Sequence, residues 1–299
     1  SEFGGGVTLT GTVTGNDSVV VTIDGQNYNA VVSYDEVTNT GTWSLDVPTS
    51  VMGEGEYTQN VTVTTTDSAG NSDSASMTVE VDTLIGVDAA ATGGADGVIN
   101  VTEFGNGVTL TGTVTGNDAV TVTINGQSYN ADVSYNEVTN QGTWTLAVPT
   151  TVMGSGEYTQ AVMVTTTDAA GNSASTNMTV EVDTLIGVDA AAVGGADGVI
   201  NASEFGNGVT LTGTVTGNDA VTVTINGQSF NATVSYNEVS NQGTWTLDVP
   251  VNVMGQGEYT QAVTVTTTDA AGNSASADMN VEVDTLIGVD AAPTGGADG

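Results

Sequence analysis

Val7-Thr-Leu-Thr-Gly-Thr-Val13, Val19-Val-Val-Thr-Ile23, Val61-Thr-Val-Thr64 and Met77-Thr-Val-Glu-Val81 decide how this chain is read. In all four, apolar and polar residues largely alternate at period two, the pattern of a strand with one face buried and one wet. Thr and Val also favour the pleated backbone, because their branched β-carbons restrict χ1. No segment shows a helical period. Trp43, Tyr28 and Tyr34 supply large side chains for a core. Composition pulls the other way: net charge is high, and from Leu84 to Thr184 the aliphatics and Phe make up only about a fifth of residues, near the boundary of disorder. The alternation outweighs it, and the chain is read as folded and all-β.

The same text recurs. VTLTGTVTGND begins at Val7, Val108 and Val209, Trp43 returns as Trp144 and Trp245, and Asp82 returns as Asp183 and Asp284. The period is 101 residues, so 299 residues hold two full periods and 97 residues of a third. The expected division is 1–82 as a first repeat lacking its first-strand segment, 83–183 as a second, 184–284 as a third, and 285–299 as the start of the next junction. Both chain ends fall in one segment, there is no starting Met or charged leader, and the chain reads as an internal fragment of something larger. Near-identical copies also weigh against a unique active site.

The strands of the second repeat are expected at Leu84 to Asp88, Val108 to Thr115, Val120 to Ile124, Ser128 to Tyr135, Thr143 to Val148, Tyr158 to Thr167 and Ser173 to Val182. Asn125-Gly126 marks a type I′ hairpin, which needs positive φ at both positions. Pro149 ends its strand because it has no N–H for a ladder. Seven short strands in about 100 residues point to an immunoglobulin-like β-sandwich, repeated as an extended string. An odd strand number lets the chain enter a sandwich at one end and leave at the other. By the same parity the loops at Asp118 and Asp168 share one end, facing the preceding repeat near Asp82 and Thr83. The loop from Asp88 to Gly107 reads either as an inter-domain linker or as a first-to-second strand loop at the far end.

Charge narrows function. Thirty-five Asp and Glu stand against no Lys, Arg, His or Cys, for a net charge of -35. Nucleic acids and anionic membrane surfaces are excluded as partners, since nothing basic can displace their counterions. No apolar run is long enough to insert in a bilayer. Imidazole, thiolate and amine chemistry are absent, together with the usual zinc, copper and haem ligands. No disulfide staples the fold. Two carboxylates about 4 Å apart repel by roughly 1 kcal/mol in water and about 4 kcal/mol at the effective dielectric of a protein surface, so clustered acids here require cations from solution.

The acids cluster between repeats. Asp96-Gly97-Val98-Ile99-Asn100-Val-Thr-Glu103 follows the second half of an EF-hand loop: an acid, a turn Gly, a residue lending its carbonyl, an apolar anchor, a water-holding side chain and a terminal Glu. The first half is missing, and Asp82 and Asp88 are candidates to supply its charge. The unit recurs as Asp183, Asp189, Asp197, Val199, Asn201 and Glu204, and in broken form as Glu2 and as Asp284, Asp290 and Asp298. Such hard oxygen ligands select calcium, or less readily magnesium or manganese; the plain alternative is a solvated acidic linker. Asp67, Asp168 and Asp269 open Asp-x-Ala-Gly-Asn segments that read equally as ligands or as Asx turns. Asp17, Asp118 and Asp219 follow an Asn in similar turns. Glu56, Glu157 and Glu258 keep their place before a Tyr, whereas Glu54 becomes Ser155 and Gln256. Paired carboxylates could serve glycoside hydrolysis, but no cleft signal accompanies them.

In this order the roughly 100-residue period, the Val98-Ile-Asn-Val-Thr-Glu103 segment and its copy at Val199 to Glu204, the Asn-Gly hairpin, Gly41-Thr-Trp43 and the DxAGN turn resemble the tandem bacterial immunoglobulin-like extender repeats of very large calcium-dependent surface adhesins, often of RTX type. The resemblance spans the whole chain. It implies extracellular display at the cell surface, calcium at inter-repeat junctions, and a stiff spacer whose partners are its own neighbouring repeats. A second reading is a self-associating filament or sheath whose partners include other copies of the chain. A third is direct binding of ice or glycan through arrays such as Thr62-Val-Thr64.

Overall fold

The alternating segments become strands where their pattern places them, and their apolar residues turn to one side. The computed structural model describes residues 6–149, 151–250 and 252–291. In the first repeat, β1 (Val7–Thr14), β2 (Val20–Ile23), β3 (Gln26–Asn29), β4 (Val31–Asp35), β5 (Thr40–Val47), the one-turn α1 (Thr49–Met52), β6 (Glu56–Thr66) and β7 (Ser72–Asp82) form two antiparallel sheets, ordered β1-β5-β4 and β3-β2-β6-β7. Leu9, Val13, Val21, Ile23, Trp43 and Val61 meet between the sheets in one core.

The second repeat carries elements not seen among the described residues of the first. It comprises β8 (Gly86–Ala89), β9 (Val98–Ile99), α2 (Val101–Asn106), β10 (Val108–Thr115), β11 (Thr121–Ile124), β12 (Gln127–Asn130), β13 (Asp132–Asn136), β14 (Gln141–Val148), β15 (Glu157–Thr167) and β16 (Ser173–Asp183). The sheets run β13-β14-β10-β8 and β12-β11-β15-β16-β9. The third repeat follows the same plan: β17 (Gly187–Ala190), β18 (Val199–Asn201), α3 (Ala202–Asn207), β19 (Thr210–Thr216), β20 (Thr222–Ile225), β21 (Gln228–Asn231), β22 (Thr233–Asn237), β23 (Gln242–Asp248), β24 (Glu258–Thr268) and β25 (Ser274–Asp284), in sheets β17-β19-β23-β22 and β18-β25-β24-β20-β21. Its core gathers Leu211, Val223, Ile225, Trp245, Val263 and Val265. Each repeat is thus the two-sheet all-β architecture expected from the alternation.

By contacts the chain divides into two compact units, Ser1–Ala91 with Thr109–Ala147 and Ala161–Met178, and Thr92–Val108 with Val148–Gln160 and Thr179–Gly299. The first holds the first sandwich and β8 on β10. The second holds the third sandwich and β9 on the end of β16.

The Asn-Gly hairpins turn as expected: φ is 52° and 76° at Asn125 and Gly126, and 49° and 75° at Asp24 and Gly25. Three features differ from the seven-strand reading. Ser128 to Tyr135 is one run in the sequence but two strands in the fold, because the chain bends at Ala131, whose N–H donates to Val120, and passes from one sheet to the other. Val98–Ile99 pairs in parallel with Glu181–Val182. Short helices appear without any helical period, because α2 and α3 are set by their caps: the Asn100 side chain accepts from the Glu103 N–H while the Glu103 carboxylate accepts from the Asn100 N–H. The loop between Asp88 and Gly107 is therefore an intradomain connection. Its start is bonded to β10, its end to β16, and the actual link between sandwiches is Thr83-Leu84-Ile85, three residues between β7 and β8.

Trp144 explains one glycine. Its indole lies over Gly112, where a Cβ would sit 2.5 Å from Nε1, and its N–H donates to the Asp88 carbonyl of β8 at 2.9 Å. Trp245 repeats this with Gly213 and Asp189.

Candidate functional site

Where one sandwich hands over to the next, β7 ends at Asp82 opposite Glu56 in the ladder. Thr83 then locks the exit: its hydroxyl accepts from the Gly55 N–H at 2.8 Å and its N–H donates to the Gly55 carbonyl. The next sandwich meets this end with its Asp168 to Asn172 turn. Asn172 Nδ2 donates to the Asp82 carbonyl at 2.9 Å and to Asp168 Oδ2 at 2.8 Å. One amide thus joins the carbonyl of one repeat to the carboxylate of the next.

Asp82 carries the unusual chemistry. Its Oδ1 is buried with no hydrogen-bond partner among the described residues. Burial pushes its carboxyl above the ordinary value, the Asp168 carboxylate pushes the same way, and the Leu84 N–H opposes them. The Tyr135 phenol is likewise raised, first by burial and then by Glu56, Asp118 and Asp82. The loops at Asp118 and Asp168 share one end of the sandwich, as strand parity predicts. Asn117 ties them, donating to Thr166 Oγ1 at 2.7 Å and to the Thr167 carbonyl at 2.9 Å.

The junction at Asp183 repeats this pattern and adds to it. Asn273, only 4% exposed, donates to the Asp183 carbonyl and to Asp269 Oδ2, both at 2.9 Å. Burial raises the Asp183 carboxyl, with Asp269 and Glu157 adding to it. Asn241 donates to Glu157. The start of α2 arrives here as well: the Asn100 amide donates to the Ala271 carbonyl at 3.1 Å, and the Val101 N–H donates to Asn273 Oδ1 at 2.7 Å. Burial, then Glu157, Asp219, Glu238 and Asp183, raise the Tyr236 phenol.

The expected ligands therefore fall into groups. Asp82 and Asp168 face one another at one junction, and Asp183, Asp269 and Glu157 at the other. Asn100 and Glu103 form a capping box, as do Asn201 and Glu204. Glu103 also reaches into the glycine loop ahead of it, where a Cβ at Gly94 would run into its carboxylate. Asp96 and Asp197 close Asx turns onto the N–H groups of Val98 and Val199. Asp88 and Asp189 bond their own strand, each accepting from the next N–H. Asp67, Asp168 and Asp269 accept from the Asn four residues on, and that Asn holds the Asp67 carboxyl below its ordinary value. Asp17, Asp118 and Asp219 bond their preceding Asn through the backbone. Val98 and Val199 sit in the parallel pairings with β16 and β25. Glu2 and Asp298 lie outside the described residues. Among the described residues no three acids are gathered tightly enough to enclose an ion by themselves.

The sequence reading missed the amides. Asn117, Asn172, Asn241 and Asn273 make the bonds that organise the junction ends, and the signal for them was their recurrence beside every junction acid.

Residues 7–83, 85–184 and 191–285 each match the model of a bacterial Ig-like domain. No curated protein matches the chain. Among solved structures, a 1.5-MDa bacterial ice-binding adhesin is 28% identical over 95% of this chain and 93% of its own, with a TM-score of 0.38. A Ca2+-stabilized adhesin of an Antarctic bacterium is 27% identical over 93% and 69%, with a TM-score of 0.31. A tetra-tandem repeat from the extending region of a large adhesion protein is 19% identical over 93% and 70%, with a TM-score of 0.35.

Proposed function

Because the chain belongs to the bacterial Ig-like domain family, we propose that it is a structural spacer of a cell-surface adhesin, displayed outside the cell and stiffened by calcium at the joints between sandwiches. The observation that carries this reading is the orphaned, buried Oδ1 of Asp82 beside Asp168, in a chain with no basic side chain to neutralise either. An unpaired buried carboxylate oxygen is costly, and a hard cation would satisfy it. Asp82 and Asp168 would hold the ion at one joint, and Asp183, Asp269 and Glu157 at the other. Since no three acids are gathered tightly enough among the described residues to enclose an ion by themselves, carbonyl oxygens, amide oxygens and water would complete the shell, which suits the flexible coordination of calcium at extracellular affinities of about 10⁻⁴ to 10⁻³ M. The ion supplies charge neutralisation and nothing catalytic. A three-residue link leaves little slack, so removing the repulsion fixes the angle at the joint. Without Lys, His or Cys, imidazole, amine and thiolate chemistry are absent from the chain.

Small-angle scattering and thermal melting in calcium, then in chelator, test this reading. Calcium is expected to lengthen the maximum dimension and raise the midpoint, and Asp82→Asn with Asp183→Asn to blunt both responses. A dimension and midpoint that ignore calcium would refute it.

A further inference from the structure

One hairpin recurs in all three sandwiches. β11 and β12 meet at Asn125-Gly126, β20 and β21 at Asn226-Gly227, and β2 and β3 at Asp24-Gly25. The turn is the same each time: φ is 52° and 76° in the first two and 49° and 75° in the third, and the flanking residues pair alike, Ile124 with Gln127, Ile225 with Gln228 and Ile23 with Gln26. The N–H of Gly126 and of Gly227 donates to no group among the described residues. Two further Asn-Gly pairs, Asn106-Gly107 and Asn207-Gly208, close α2 and α3. There the Gly N–H is engaged, donating to the Phe104 or the Phe205 carbonyl at 3.2 Å.

We propose that Asn125 and Asn226 are sites of spontaneous deamidation, and that the fold selects them over Asn106 and Asn207. The Gly nitrogen attacks the carbonyl carbon of the Asn side chain, and the new N–C bond closes a five-membered succinimide. The side-chain nitrogen leaves as ammonia, carrying the proton that the Gly nitrogen gave up. Water then opens the ring at one of its two carbonyls, giving aspartate or isoaspartate. Ring closure carries the Gly nitrogen onto the side of the Asn Cβ, which sets the Asn ψ to about −120° and leaves φ positive, the conformation of the first central residue of a type II′ turn. A flip of the Asn–Gly peptide thus takes the hairpin from one turn that matches strand twist to the other and keeps it closed. At the helix ends the same rotation breaks the Gly bond to Phe104 or Phe205, and one net hydrogen bond is worth roughly fivefold in rate.

The first repeat carries the acid product in place. Asp24 holds the turn with the same φ and the same pairing, so opening of the ring to aspartate leaves the hairpin intact. Isoaspartate instead adds a methylene to the backbone of a two-residue turn and disturbs the register that the turn fixes. Contacts change with the charge. Asn226 Nδ2 donates to the Val253 carbonyl at 2.9 Å, and Gln261 Nε2 donates to the Ala262 carbonyl at 2.8 Å. In the first repeat the equivalent Gln59 donates both to the Asn60 carbonyl and to Asp24 Oδ1, at 2.9 and 3.0 Å. An acid at 226 cannot donate, so the turn gives up Val253 and gains Gln261. The loop around Val253 loosens, and each converted site adds one negative charge to a chain already at -35.

Incubation of the intact chain at mildly alkaline pH in water enriched in oxygen-18, followed by peptide mass spectrometry, tests the proposal. The heavy oxygen marks sites hydrolysed in the folded chain and not during digestion, which must use a protease that cuts at acidic or aromatic residues because the chain has no Lys or Arg. Labelled acid is expected at 125 and 226 roughly fivefold or more faster than at 106 and 207, and the four rates are expected to converge in denaturing urea. Asn226→Asp is expected to keep the fold and to speed hydrogen exchange of the amides around 252–255. Folded chain that gains no label at 125 and 226, or gains it as fast at 106 and 207, overturns the proposal. A preference that persists unchanged in urea overturns selection by the fold, and exchange around 252–255 that ignores Asn226→Asp overturns the change of partner.

Discussion

Asn71, Asn172 and Asn273 occupy one position in three copies of the same turn, yet they make different numbers of bonds to a neighbouring repeat. Asn71 donates only to Asp67, at 2.8 Å. Asn172 adds one bond across the junction, to the Asp82 carbonyl at 2.9 Å. Asn273 adds two, donating to the Asp183 carbonyl at 2.9 Å and accepting from the Val101 N–H at 2.7 Å. Replacing each by Ala removes the local turn bond in every case, at a similar cost. What differs is the junction, and each net hydrogen bond contributes about 0.5–1.5 kcal/mol. Asn172→Ala should therefore exceed Asn71→Ala by about 1 kcal/mol and Asn273→Ala should exceed it by about 2 kcal/mol. Hydrogen exchange read by mass spectrometry checks the series. Protection of the amides around 82–85 should fall roughly fivefold in Asn172→Ala, and that around 183–186 roughly thirtyfold in Asn273→Ala, relative to Asn71→Ala. Equal losses in all three variants would refute the idea that these amides latch one sandwich to the next.

Acid should first tighten the joints and then weaken the sandwiches. Asp82 and Asp183 have folded carboxyls raised above the ordinary 3.8, so their ionised forms burden the fold at neutral pH, and that burden lifts as pH falls toward and through the raised values. Asp35 and Asp67 are lowered, by the Val37 N–H and the Asn71 side chain respectively, so their contribution is present above 3.8 and is lost below it. Calcium-free melting at neutral, mildly acidic and strongly acidic pH should show a rise before the fall; a monotonic decline from neutrality would contradict this. Gly213→Ala drives a Cβ into the Asp189 carbonyl of β17 and to 2.5 Å from Trp245, whereas the nearest atoms to a Cβ in Gly11→Ala all belong to the Trp43 side chain, from 2.6 Å. Overpacking of this kind costs about 1–3 kcal/mol, and the thermal midpoint of the third sandwich should drop further in Gly213→Ala than that of the first in Gly11→Ala. Asn117→Ala removes donors from Thr166, Thr167 and Ala119, and urea unfolding should report a loss of about 2 kcal/mol.

The sequence by itself determined the strands, the period and the class of fold. Alternation at period two is a local signal, and Thr and Val bias the backbone wherever they stand. The Asn-Gly turns and Pro149 were equally legible, since positive φ and a missing N–H are properties of single residues. Even the shared end of the Asp118 and Asp168 loops followed, because strand parity is counting. The helices α2 and α3 were less visible: six residues held by a capping box carry no periodicity, and their Asn and Glu read as cation ligands. Only the tertiary structure decided the rest. It showed that the acidic loop belongs within a sandwich, because the parallel pairing of Val98–Ile99 with Glu181–Val182 spans more than 80 positions in the chain. It separated Asp82, whose buried Oδ1 has no hydrogen-bond partner among the described residues, from Asp88, which bonds its own strand, although both stand in the same acidic stretch. It also showed what the DxAGN turns reach: Asn172 donates to the Asp82 carbonyl and Asn273 to the Asp183 carbonyl, each 90 positions away in the chain. A hydrogen bond across a junction depends on what the neighbouring repeat presents, which no pattern local to one turn can specify.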